Sequence, residues 1–274
     1  MAPDTGAGTM PPHFQTPPLW REARMGLELA ALTRNPVFRG RDVTDGGGQP
    51  VLLIPGFMVG DASLGIMARW LKGTGHHPSR AGIRSNVACS GTTIEVLEDR
   101  LERLVDRQGR RAAVVGHSRG GSFAKVLARR RPDLVSGVIM LGCPQRDPLA
   151  VHPVVRANIE AVAAIGRLGI PGFFTKVCLD GDCCATFREQ FGADVPRGVG
   201  YVSVYSKTDG IVSWKACLDP AAEQVEVRSS HCGMAVHPAV YRVIADSLAD
   251  FRRRDSRRKP LEGRATVTPI SRAA

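Results

Sequence analysis

The chain has 274 residues, 43% of them hydrophobic and 5% aromatic, with a formal net charge of +11. That apolar content is ample for a sizeable core, as one α/β domain with a cap or as two small domains. Over half of the charge excess sits in residues 252–274, which hold eight Arg/Lys against two acids, so the body is only mildly basic. No aromatic residue is interleaved with those basic ones, which argues against a nucleic-acid platform. No run of 18 apolar residues occurs either, so no membrane span is expected.

Residues 1–17 are rich in Pro, Gly and Thr, and are expected to be disordered. They contain no basic n-region and no apolar h-region, so the sequence predicts no secretory signal and a cytoplasmic chain. Residues 18–35 read as a helix with Trp20, Leu27, Ala30 and Ala31 on an inward face, and Arg21, Arg24 and Glu28 near the opposite one. Val51-Leu52-Leu53-Ile54 is a continuous apolar strand ended by Pro55-Gly56, and a helix over 61–72 follows. A short strand is expected within 77–83. Residues 92–108 form a strong helix, with Ile94, Leu97, Leu101, Leu104 and Val105 at helical spacing and Thr92 paired with Glu95 as a capping box.

Next comes the apolar run Ala112-Ala113-Val114-Val115, and directly after it Gly116-His117-Ser118-Arg119-Gly120 opens another helix. A bare G-x-S-x-G is weak evidence, and the serine could simply cap that helix. A buried strand feeding a glycine-flanked serine into a helix is far more specific, because only a very tight turn fits there. A strand over 137–141 follows. More than 50 residues then separate Gly142 from the next strand, too many for a plain loop. This interval, about 144–197, is expected to form a cap or lid. Its residues 157–168 read as an amphipathic helix with Ile159, Val162, Ile165 and Leu168 on one stripe, followed by an apolar turn over 169–174. Either a mobile lid or a static packed cap fits that pattern.

Three of the seven cysteines (Cys178, Cys183 and Cys184) crowd the same interval. They lack a His partner at zinc spacing, so no metal site is expected, and reduced thiols are the default. Export would instead allow a disulfide between the cap and Cys217. Residues 199–205 alternate like a strand and lead into Thr208-Asp209-Gly210. Residues 224–228 form another short strand leading into Ser229-Ser230-His231-Cys232-Gly233. A terminal helix over about 238–253 closes the fold, so that the body spans 18–252 and a basic tail expected to be disordered spans 253–274.

Ser118, Asp209 and His231 thus each lie just past the carboxyl end of a strand, where an open parallel sheet gathers its ligands. With the Ser…Asp…His order, residues 49–252 resemble the α/β-hydrolase superfamily, and specifically its lipase and esterase branch. The resemblance implies a mostly parallel sheet flanked by helices, and a triad in which Ser118 is the nucleophile, His231 its base and Asp209 the orienting acid. It further implies an oxyanion hole made by the backbone N–H groups of Phe57 and Arg119, and no cofactor. Asp182 and Asp219 are rival acids, and His117 and His237 rival bases. The implied function is hydrolysis of carboxylic esters of apolar acyl groups, on a small-molecule or lipid substrate met in solution or by transient contact with a lipid surface. An acyltransferase would use the same triad, and a non-catalytic binding protein the same fold.

Overall fold

The computed structural model describes residues 17–145 and 149–257. Six strands form one sheet in the order β2-β1-β3-β4-β5-β6. They are β1 (Pro50–Ile54), β2 (His77–Arg80), β3 (Ala112–His117), β4 (Val135–Leu141), β5 (Gly200–Tyr205) and β6 (Glu223–Glu226). Every pairing is parallel. Parallel pairing demands long crossovers, and helices supply them on both faces. The central strands β1, β3 and β4 are buried along their whole length, which explains why they read as unbroken apolar runs. The edge strands β2 and β6 are polar and largely exposed.

Alternate strand residues feed two cores. Val51, Leu53, Val115, Ile139 and Val204 pack with α2 (Gly65–Gly73) and α8 (Pro238–Ser256) on one face. Leu52, Ile54, Val114, Val138 and Met140 pack with α3 (Ser90–Gln108) and α4 (Arg119–Arg130) on the other. The five Ile, Leu and Val positions expected to face inward on α3 are all buried. The capping box is absent, because the helix enters at Cys89–Ser90. Thr92 lies inside its first turn, with its hydroxyl on the Cys89 carbonyl at 3.2 Å. Helix α8 extends to Ser256 and Arg111 reaches Asp255 at 2.8 Å, so residues 253–256 belong to the body rather than to a tail. The rest of the tail, and all of segment 1–17 except Pro17, lie outside the described residues.

The N-terminal helix buries a different face from the one its sequence pattern suggests, with Leu32 in the core and Leu29 packed beside it. Residues Leu19–Arg24 form a 3₁₀ turn and Met25–Arg34 form α1. Trp20 and Leu27 are 71% and 74% exposed, whereas Glu28 is buried. Between β4 and β5 lie α5 (Pro153–Arg167), α6 (Val177–Asp180) and α7 (Ala185–Gly192). Helix α5 starts earlier than its apolar stripe suggested, at Pro153, where the His152 ring accepts from Val154 N–H at 3.2 Å. Val162 and Phe174 of this layer pack onto Val87 of the core, and Leu168, expected on the inner stripe, is 78% exposed.

Candidate active site

The end of β3 turns into α4 within one residue. Gly116 and Gly120 make that turn feasible: a Cβ on Gly116 would stand 2.3 Å from the Gly120 carbonyl oxygen, and one on Gly120 would stand 2.2 Å from that of Ile54. Ser118 absorbs the turn with φ 51° and ψ −124°, outside the regions open to ordinary L-residues. Such strain costs on the order of 1–3 kcal/mol and persists only where neighbours enforce it. Here Ser118 N–H donates to the Leu141 carbonyl at 2.8 Å, and its own carbonyl accepts from Gly121 N–H at 2.8 Å.

The turn after β5 brings Asp209 beneath the site, fully buried. Asp209 Oδ1 accepts the N–H groups of Ile211 and Val212 at 2.8 and 2.7 Å, and Oδ2 faces His231 Nδ1 at 2.7 Å. A carboxylate accepts only, so Nδ1 carries the proton and Nε2 of neutral His231 is an acceptor. Burial, the largest influence on His231, opposes its charging. The Asp209 charge, the hydrogen bond that His231 donates to Asp209 and the Glu22 charge outweigh it and raise the pKa above the ordinary value. The Ser118 side chain does not cap α4, and its hydroxyl makes no hydrogen bond among the described residues.

His117 and His237, the rival bases, have other work. The His117 ring donates from Nε2 to the His231 carbonyl at 3.0 Å and lies 4.9 Å from the His231 ring. Burial and the nearby His231 push its pKa down to about 3, so it stays neutral. The His237 ring accepts from Ala239 N–H and caps α8. Of the rival acids, Asp219 pairs with Lys125 at 3.1 Å and Tyr201 Oη at 2.8 Å, and Asp182 sits in the 3₁₀ turn Asp182–Cys184 of the cap layer.

Two glutamates of the N-terminal segment lock the loops that carry Asp209 and His231. Glu22 Oε1 accepts from Gly210 N–H and His231 N–H, both at 2.9 Å, and its Oε2 accepts from Cys232 N–H at 2.9 Å. Glu28 accepts from Ser230 N–H at 2.8 Å and from the Ser230 hydroxyl at 2.6 Å. Gly233 admits it, since a Cβ there would lie 1.5 Å from Glu28 Oε2. The sequence signal for this is slight: Glu28 falls on the face whose spacing points outward, and Glu22 belongs to no apolar stripe.

Phe57 N–H and Arg119 N–H meet no acceptor among the described residues, and Arg119 opens α4, where first-turn donors have no intrahelical partner. The Arg119 side chain points elsewhere, donating to the Asn86 and Ala88 carbonyls and to Ser90 Oγ at 2.8, 2.7 and 3.1 Å. Burial lowers its pKa to about 10, against the pull of Cys184, Cys89 and Cys178, and it remains a cation. In front of Ser118 opens a cavity of about 340 Å³, lined chiefly by Phe57, Leu149, Val151, Val155, Ile159, Phe174, Leu179, Phe187, Phe191 and Ile211. Gln145, Ser122 and the Arg119 edge are among its few polar walls.

This architecture is that of the α/β-hydrolase fold. A Bacillus licheniformis lipase in its mature form superposes with a TM-score of 0.55 at 15% identity, over 75% of this chain and 94% of that one. A Paleococcus ferrophilus monoacylglycerol lipase gives 0.53 at 15% identity, over 76% and 96%. A tomato methylketone synthase variant complexed with β-ketoheptanoate gives 0.52 at 11% identity, over 74% and 98%. No family model matches the chain, and no curated protein matches its sequence. Among the described residues no helix is long and apolar enough to cross a membrane.

Proposed function

We propose that this protein is a serine carboxylic-ester hydrolase for esters with apolar acyl groups. One observation carries the reading: the strained Ser118 opens onto a largely apolar cavity, and the ring of its neighbour His117 packs 4.9 Å from that of His231, which pairs with the buried Asp209. In the proposed cycle His231 Nε2 takes the proton as Ser118 Oγ attacks the acyl carbon. Asp209 holds the Nδ1–H tautomer and stabilises the imidazolium. The tetrahedral oxyanion is met by the N–H groups of Phe57 and Arg119, each donor worth about 3–4 kcal/mol. The imidazolium then protonates the leaving alcohol, and water repeats the attack on the acyl-enzyme. The apolar walls favour an acyl chain over a charged group, which would be costly to desolvate there.

A fluorophosphonate probe and a p-nitrophenyl ester test this together. Ser118 should be the labelled residue, and Ser118→Ala should lose both labelling and turnover while keeping its circular dichroism spectrum. Labelling elsewhere, or turnover preserved in folded Ser118→Ala, overturns the assignment.

A further inference from the structure

The strongest feature beyond Ser118, Asp209 and His231 is a knot of four thiols. Cys89 stands at the start of α3, Cys178 lies in α6, and Cys183 and Cys184 follow in the 3₁₀ turn. All four Sγ atoms lie within 4.8 Å of one another. Cys89 and Cys184 are 3.4 Å apart, and Cys183 and Cys184 are 3.8 Å apart. A disulfide requires about 2.05 Å and would sort four sulfurs into two bonded pairs. A tetrahedral ion with thiolate bonds of about 2.3 Å instead sets sulfurs about 3.8 Å apart along every edge. Four mutually close sulfurs match the second arrangement.

The surroundings suit it as well. Arg188 donates to the carbonyls of Leu179, Asp180 and Gly181 at 3.3, 3.1 and 2.7 Å, clamping the loop that carries three of the sulfurs. Thr175 Oγ1 lies 3.7 Å from Cys178 Sγ, within reach of a hydroxyl-to-thiolate bond. Gly91 lets the cap press against α3, since a Cβ there would stand 2.6 Å from the Cys183 carbonyl oxygen. Four thiolates around a divalent ion leave a net charge of −2. The Arg119 guanidinium, bonded on both sides of Cys89 through Ala88 and Ser90, and the positive end of the 19-residue α3 both oppose that charge.

We propose that Cys89, Cys178, Cys183 and Cys184 form a tetrathiolate site for one zinc-class divalent cation, a structural clip between cap and core. Binding releases four thiol protons to solvent and involves no redox change. Cys89 is the core's single ligand; the other three come from the cap, and Cys178 and Cys184 also line the acyl cavity. The clip therefore fixes one wall of that cavity. The sequence concealed it because Cys89 lies 95 positions before Cys184.

The test uses the full chain, expressed with added zinc and purified under reducing conditions without chelator. Elemental analysis and native mass spectrometry should give one zinc per chain, and the denatured mass should carry all seven thiols reduced. Replacing zinc by cobalt should produce intense thiolate-to-metal absorption with tetrahedral d–d bands. Cys89→Ser and Cys183→Ser should each lose stoichiometric zinc, whereas Cys232→Ala, outside the knot, should keep it. The cobalt spectrum needs no variant, so a misfolded Cys89→Ser does not blunt the test. Two disulfides in the denatured mass, a chain that takes up no zinc, or cobalt bands lacking thiolate character would each overturn the site.

Discussion

Asp209 and Asp219 show how one residue type acquires opposite duties from its surroundings. Asp209 is buried against His231 and two backbone N–H groups; Asp219 neutralises Lys125 and takes the Tyr201 hydroxyl. Asp209→Asn keeps the shape but removes the charge that stabilises protonated His231. The same change in a serine protease costs about 10⁴ in kcat, and a loss of that order with little change in KM is expected here. Asp219→Asn should leave kcat nearly intact and destabilise the fold by about 3 kcal/mol, because it strands a buried lysine. Denaturant melts beside kcat for both variants check this; a crippled kcat in Asp219→Asn alone would exchange the roles. The His231 shift also has a sign. In the proposed cycle His231 must be neutral to accept the Ser118 proton, and its pKa is raised, so kcat/KM should fall on acidification with a midpoint above the usual ~6.5. Removing a negative charge should lower that midpoint, so Glu22→Gln should move the acid limb to lower pH. A limb that stays put would remove Glu22 from the electrostatics of the site.

At the scale of elements, what could be read ahead of the structure follows from where each element finds its partners. Strands β1, β3 and β4 are covered on both faces, so burial wrote itself into uninterrupted apolar runs, and the glycines of the Ser118 turn marked the strand's end. Helix α3 carried its core stripe for the same reason. The N-terminal helix carried it only in part: Leu32 and Leu29 pack into the core, but the rest of its inner face meets the backbone N–H groups of two distant loops, which are satisfied by the Glu22 and Glu28 carboxylates rather than by Trp20 or Leu27. Periodicity reports apolar faces and is silent about a face that docks through charge. Glu28→Ala would leave Ser230 N–H without its buried partner, at a cost of about 1–3 kcal/mol. Because Ser230 adjoins His231, that variant should lose activity at temperatures where the fold still holds. Equal loss of stability without any change in kcat would make the helix a mere clamp.

For the molecule as a whole, the proposed chemistry belongs to the carboxyl edge of the sheet, and the elements between β4 and β5 supply much of the cavity's outer wall. The three loops gathered at that edge were legible because a parallel sheet forces them there; the cavity was not, because its walls come from separate elements between residues 57 and 211. Acyl-length preference should therefore reside in the cap and be separable from the chemistry. Ile159 lies on α5, lines the cavity and is only partly buried, so a larger side chain can enter the open space without displacing the sheet. Ile159→Trp should reduce the room for an acyl chain, lowering kcat/KM for long p-nitrophenyl esters by at least tenfold while acetate and butyrate esters change little. Tenfold corresponds to about 1.4 kcal/mol, within the ~1–3 kcal/mol that one methylene more or less commands in an apolar pocket. The decisive measurement is the ratio of long-chain to short-chain kcat/KM in both proteins. If that ratio is unchanged, the acyl group does not occupy the cavity in front of Ser118, and the walls of α5 have no part in selecting it.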